Sequence, residues 1–345
     1  MATYRGLGGW VGVGEEGTWG TGVGPEDFNP LKSGSDGVNF ERDDLEIDDI
    51  TSRAQDTAQR YVGSRRISGT ISGDIFYDGL FFKRVLEQAV LHDVGAPAES
   101  PTGVHTHTFN SSTTTTPMSG KGLSFTLNRG NAAMDHRYEG CKVNGLTVNF
   151  DPDGTAEFSA DILGKAYAEK TGGDLSTYAA PTGPRVITRT TSNTLGLKVG
   201  TGGSADTALV CRSASLSISN NYEERRDIAG LAMLEPTPGM SEVTLDVEVE
   251  WDDNLNALRG AWYTDGNSAA IPTRQHVEFA VLGPIITGSS PYKHLVVLER
   301  AHVVATPEPH AAGFGVTTAN LSFRGFSDSG ISPLQYVIVN ATSSS

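Results

Sequence analysis

The 345-residue chain has two cysteines, Cys141 and Cys211, too few for a disulfide scaffold or a cysteine-based zinc site. Basic residues are also scarce: 26 Lys and Arg stand against 41 Asp and Glu, for a formal net charge of −15. A surface so acidic cannot hold nucleic acid through phosphate contacts. No apolar run approaches the roughly 18 residues of a membrane span, so no membrane partner is expected. The first 24 residues lack the charged and apolar regions of a signal peptide, and the chain is expected to be soluble and made in a reducing cytoplasm. Chemistry is scarce too. There is no GxSxG, HExxH or GxxxxGK[ST] motif, and the expectation is a protein that is not an enzyme and needs no cofactor.

What the chain has is glycine, 41 residues, with many Ser and Thr among alternating apolar runs, a pattern of short strands joined by turns. It also has a weak internal repeat with a period of about 170 residues. Leu45 and Ile47 before a charged stretch match Leu216 and Ile218. The alternating run Ile67, Ile71, Ile75 matches Val243, Leu245, Val247, Val249, and a helix follows each run. Asp78 is expected to cap the first helix, with Phe81, Phe82, Val85, Leu86, Ala89 and Val90 inward and Lys83, Arg84 and Glu87 outside. Asp252 or Asp253 is expected to cap the second, a shorter helix that carries Leu255, Leu258, Ala261 and Trp262. Strands at 123–127 and 143–150 match 277–281 and 295–304, and 154–164 matches 315–325. The reading is a mainly β protein of two tandem domains, 1–170 and 195–345, joined by the Gly-, Pro- and Thr-rich linker 171–194. Each is expected to be an antiparallel β-sandwich with a flanking α-helix.

Several apparent sites dissolve on inspection. Gly12-Val13-Gly14-Glu15-Glu16-Gly17 spells a dinucleotide fingerprint, but no helix follows to hold a pyrophosphate. His105 and His107 share one strand face with no third ligand at a metal spacing, which reads as an exposed strand pair. Asp151-Pro152-Asp153-Gly154 opens like a calcium loop, but Ile162 stands where its closing glutamate belongs, so a hairpin turn is expected. The informative carboxylates lie on strands. Glu242, Asp246, Glu248 and Glu250 share a face opposite Val243, Leu245, Val247 and Val249, and Asp74 holds the corresponding place in the first half. Such a face is either a solvated exterior or a wall past which something slides without sticking.

The segment from Gly12 to Thr21 resembles the opening of siphophage tail tube (major tail) proteins. Arg65 to Asp74 with Tyr77-Asp78-Gly79-Leu80, His105 to Phe109, and Tyr138 to Phe150 resemble their later blocks, in the same order. Glu15 stands where that family commonly has lysine. The resemblance implies tail-tube-like β-sandwich or barrel domains that close into rings and stack into a tube with an acidic lumen, through which DNA passes on ejection. It implies a virion protein whose partners are its own copies, the tape measure protein and the tail-tip and terminator proteins. With two such domains, a trimer of pseudo-six-fold symmetry is favoured over a hexamer. Glu242, Asp246, Glu248, Glu250 and Asp74 become candidates for the lumen. The charged stretch containing Asp43, Asp44, Glu46, Asp48, Asp49, Arg53, Arg60 and Arg65 becomes a candidate inter-ring arm, with Glu223, Glu224, Arg225 and Arg226 in the matching place of the second half. The alternative is a capsid decoration or surface-binding β module without a channel.

Overall fold

The computed structural model describes residues 9–343, except 33–36, 50–55, 93–96, 113–117, 130–134, 153, 171–177, 182, 187–194, 202–204, 228–229, 269–273, 305–315 and 329. For 44–49, 56–62, 169–170, 195, 201 and 261–268 the description is of the backbone. The chain is mainly β. Its first half runs β1 (Trp10–Glu16), β2 (Asp27–Pro30), β3 (Asn39–Asp49), β4 (Asp56–Asp74), α1 (Leu80–Val90), β5 (Ala98–Glu99), β6 (His105–Asn110), β7 (Gly122–Asn128), β8 (Asp135–Phe150), β9 (Glu157–Gly164) and β10 (Ala166–Lys170). The second runs β11 (Leu195–Thr201), β12 (Thr207–Leu209), β13 (Cys211–Ser219), β14 (Glu223–Arg225), β15 (Leu234–Thr237), β16 (Glu242–Glu250), α2 (Asp253–Ser268), β17 (Gln275–Thr287), β18 (Ser290–Val303), β19 (Thr318–Gly325) and β20 (Gln335–Asn340).

All ladders between these strands are antiparallel, and the two halves share one pairing order. In the first, β2–β1–β7–β8–β9–β4–β3 pair in succession and β10 joins β8. In the second, β12–β11–β17–β18–β19–β16–β13 pair in succession and β20 joins β18. The order is continuous across the chain, because β13 pairs with β8 (Leu216 opposite Val148) and β20 with β6 (Ile338 opposite His107). β14–β15 is a hairpin inserted between β13 and β16.

The helix α1 closes the core. Phe81 packs near Phe125 of β7 and Phe158 of β9, and Phe82 reaches Tyr336 of β20, so one helix touches both halves. The expected apolar face is buried, but the charged face is covered as well. Lys83 and Glu87 are buried, and Arg84 is 14% exposed beneath Glu15, Asp27 and Glu87. Nor does Asp78 cap this helix. The N-cap is Gly79 with no side-chain bond, and Asp78 instead accepts from the Tyr292 hydroxyl (2.7 Å) and the Ala341 N–H (2.9 Å) of the second half. Asp252 does cap α2, through the Leu255 N–H, but α2 is the longer helix, 16 residues against 11 in α1, because its run continues past Trp262 to Ser268. The histidines of β6 are also buried rather than exposed, with His107 bonded to Asn340 of β20 at 3.1 Å.

The opening glycine-rich segment is structural. A side chain at Gly12 would strike Pro25 and one at Gly14 the Gly24 carbonyl, so the returning chain can lie against β1 only where no Cβ intervenes. Glu16 is fully buried, and its carboxylate accepts from the Gly20 N–H (2.7 Å), the Ser124 hydroxyl (2.6 Å) and the Gly140 N–H (2.8 Å). Replacing Glu16 by Ala leaves three donors without their acceptor, those of Ser124 and Gly140 in buried bonds. The expected result in chemical denaturation is a loss of about 3 kcal/mol or more; a loss under about 1 kcal/mol would show that this knot is dispensable.

His294 sits where the halves meet, its Nδ1 3.0 Å from the Tyr336 hydroxyl and its ring beside Tyr77 and Phe82. Burial drives its pKa down to about 3, from 6.5. Between those values the unfolded chain binds a proton that the folded chain refuses. The histidine's contribution is therefore intact above about pH 6.5 and erodes by about 1.4 kcal/mol per unit as pH falls toward 3. His294→Gln should remove about one proton from the pH slope of stability between pH 6 and 4, measured by urea unfolding. An unchanged slope would contradict this assignment.

Candidate functional site

Six strands from both halves, β4–β9–β8–β13–β16–β19, form one continuous sheet. Alternation gives it two unlike faces. One is core: Ile71, Phe158, Ala160, Leu146, Val148, Leu216, Ile218, Leu245, Val247, Leu321 and Phe323 are all buried. The ladder registers carry polar residues straight across the other. One row reads Asp74, Glu157, Asn149, Ser215, Asp246, Ser322; the next reads Ser72, Ser159, Thr147, Ser217, Thr244, Arg324; a third reads Thr70, Asp161, Gly145, Ser219, Glu242. No large apolar side chain interrupts these rows. The face is a wall of hydroxyls, amides and carboxylates with one guanidinium, Arg324, in these rows, assembled equally from both halves.

The sequence-selected carboxylates fall on this wall with different roles. Asp246 is exposed, and Glu242, Glu248 and Glu250 are half-buried. Glu242 pairs with Arg324 at 3.1 Å and Glu250 with Arg212 at 3.1 Å. Asp74 is only 4% exposed, bound by Lys32, by Arg185 at 3.2 Å and by the Thr155 hydroxyl at 2.9 Å, so its charge is neutralised at the edge of the wall. Burial of Lys32 works against its charge, but bonds to Asp74 and Glu157 prevail and raise its pKa. Across the seam between the halves the wall dips into an open concavity of about 830 Å³. Asp151, Glu157, Asp246 and Glu248 line it, with no lysine or arginine among its described lining residues. Among the described residues no cluster of His, Cys, Asp and Glu is arranged to hold a metal ion.

The candidate arm is a two-stranded hairpin, β3 with β4. Its pairs run from Asn39–Ser68 out to Asp49–Asp56, and β9 accompanies β4 only from Ile67 inward. Eleven residues beyond that point reach about 35 Å at about 3.3 Å each. Asp44, Glu46, Asp48, Asp49 and Arg60 lie on its strands outside the described side chains, and Arg53 lies outside the described residues. The base of the hairpin meets the β14–β15 insertion of the second half, a contact that the sequence did not reveal. Arg65 N–H donates to the Leu231 carbonyl, and Arg66 joins Glu41 (2.5 Å) to Glu224 (2.9 Å). Arg226 donates to the Ser64 hydroxyl (2.6 Å) and reaches Asp43 at 3.4 Å. The Ser68 hydroxyl, with Arg66, holds Glu41 below the usual carboxylate range, and the Ser64 hydroxyl does the same for Asp43 ahead of the Arg226 charge. Glu223 and Arg225 are exposed on β14. The two charged stretches that the repeat set in matching places are thus bonded to each other within one chain.

A family model described as phage tail tube protein matches residues 8–290. That span takes in β1 to β17 and therefore most of the polar wall and the whole hairpin. No curated protein matches the chain at a significant level.

Proposed function

The chain belongs to the phage tail tube protein family, and from that premise we propose that three copies close into a ring of pseudo-six-fold symmetry, with the polar wall as the lumen through which DNA leaves. It is a structural component of the virion tail, and self-assembly follows from the family. The finer reading rests mainly on one observation: each half supplies the same four strands to one continuous wall, β3, β4, β9 and the end of β8 from the first, and β13, β16, β19 and the end of β18 from the second. This supports a duplication, with domains at 1–170 and 195–345 about the linker 171–194. Eight strands per copy give 24 for three copies. At about 4.8 Å between strands and a tilt of about 40°, such a barrel is about 48 Å across its backbone, wide enough for a hydrated duplex.

The wall chemistry suits passage rather than capture. Exposed Asp246 and the carboxylates of the concavity repel phosphates, the hydroxyl rows hold water, and the one guanidinium in those rows, Arg324, is paired with Glu242. The β3–β4 hairpin is the arm that reaches the adjacent ring, and the β14–β15 insertion braces its base. A siphophage tail would add a tape measure protein inside the tube and tip and terminator proteins at its ends. Electron microscopy of the concentrated protein tests the reading. Hollow tubes with rings of three 36.5 kDa chains are expected. Rings of six would remove the pseudo-six-fold arrangement, and a monomer that bound capsids would support a decoration module instead.

A further inference from the structure

The ladders give the β14–β15 insertion a counterpart in the first half. Phe40 pairs with Ile67 and Ile218 with Val243, so the connection from β13 to β16 holds the place of the connection from β3 to β4. The two connections are of nearly equal length. In the first half that length forms the long β3–β4 hairpin, the arm. In the second it forms β14–β15, two short strands that lie against the first half of the same chain.

The two sides of the insertion grip different things. β14 and the segment after it hold the base of the arm. Glu224 takes Arg66 at 2.9 Å, Arg226 donates to the Ser64 hydroxyl at 2.6 Å, and the Leu231 carbonyl accepts the Arg65 N–H at 2.8 Å. β15 holds the body of the sheet. The Glu235 carboxylate accepts from the Gly120 N–H at 2.8 Å and lies 3.1 Å from the Lys142 ammonium of β8. Tyr222, at the root of the insertion, donates its N–H to the Asn144 side chain of β8 at 2.8 Å.

Lys142 is the residue that local pattern does not explain. It is 2% exposed, and burial lowers its pKa against the opposing bond and charge of Glu235. An ammonium is buried only where acceptors meet its donors. Here the Met118 carbonyl at 2.6 Å, the Lys121 carbonyl and Glu235 meet all three. Lys142 pairs with Leu163 as His302 pairs with Arg324, so His302 holds its place in the second half, where it stacks on Phe326 at 4.3 Å. The lysine therefore stands in the half against which the insertion folds.

We propose that the insertion is the second half's own arm, folded back as a clamp that aims the first, with Lys142 and Glu235 as the positioning pair that anchors it. The proposal rests on the ring reading for what the arm reaches and on these contacts for the clamp. One arm per chain then leaves the ring, in a fixed direction. An arm already held in its docking direction gives up less freedom when it reaches the neighbouring ring.

The test reads the arm's direction on the free chain. Spin labels at Gln59→Cys on the arm and Asn320→Cys on β19 report it as a distance distribution, because Cys141 and Cys211 are buried. Glu235→Ala removes the anchor, and Arg66→Gln/Arg226→Gln frees the arm while leaving the anchor whole. Each should widen the distribution about twofold and speed amide exchange at Arg65 about tenfold or more. Each should also slow tube growth although the chain stays folded. If Lys142 and Glu235 served packing alone, Glu235→Ala would lower the melting temperature and leave the distribution unchanged, which would overturn the proposal. Widened arms that stack at the wild-type rate would overturn it too. Should Glu235→Ala fail to fold, the arginine pair decides alone. The distances need no tubes, so a wild type that never forms them would remove the functional reading and not the clamp.

Discussion

Particles whose tubes carry Asp246→Lys and Glu248→Lys together should assemble normally and release DNA about tenfold more slowly at low salt, with the rate recovering as salt is raised. The two substitutions change each copy by four charges and a ring of three by twelve, on a strand whose other face, Val243 to Val249, is untouched. Lysines on the wall would contact phosphates and release counterions, an attraction that weakens steeply with ionic strength. Repeated at every ring, even a weak attraction becomes drag. The neutral pair Asp246→Asn/Glu248→Gln separates repulsion from attraction, since it removes the first without adding the second. It should slow exit much less than the lysines do. Release followed by a fluorescent DNA dye reads both, and lysine-bearing tubes that empty at the wild-type rate would remove these side chains from the path of DNA.

The second large effect concerns the hairpin. Replacing residues 45–61 by Asn-Gly closes β3 onto β4 at Asp44–Val62 with a two-residue turn suited to the twist of the strands. The Arg66–Glu224 and Arg226–Ser64 contacts at the base lie outside the excised segment. Stability should therefore change by no more than about 1 kcal/mol, while stacking into tubes is abolished and rings or shorter species accumulate. Calorimetry and electron microscopy on the same sample measure the two halves of that statement. Tubes of normal length from the shortened chain would mean that the arm does not join rings.

How much of this was legible in the sequence depended on whether a local pattern carried it. The strand from Glu242 to Glu250 was readable because strict alternation has one structural meaning, and its burial follows the letters residue by residue. The helix positions were readable for the same reason, and Asp252 caps where a local rule places it. Long-range contacts defeated the local rules elsewhere. Asp78 looks like a helix cap, but Tyr292 and Ala341, more than two hundred residues away, take its carboxylate. Lys83, Arg84 and Glu87 look like a solvated helix face, but residues 15, 26 and 27 fold over them. His105 and His107 are covered because β20 returns from the chain's far end to pair with β6. Asp74 matches Glu250 in the repeat, and only the folded chain brings Lys32 and Arg185 to it. The buried Glu16 gave no signal at all, since the three groups that satisfy it come from a turn and two distant strands.

The repeat was read as an order of landmarks, and the two halves share an order of strand pairing. The landmarks could not show that the halves share a sheet through β8 and β13, because no residue pattern records which of two edges meets. That shared sheet is the basis for the central claim, a channel wall made by two equivalent halves of one chain. A density map of the assembled tube at strand resolution tests it most directly. The account predicts 24 strands around the lumen, three chains per ring, and the Asp246 face turned inward. A ring of six chains, or a lumen lined by any other face, would contradict it.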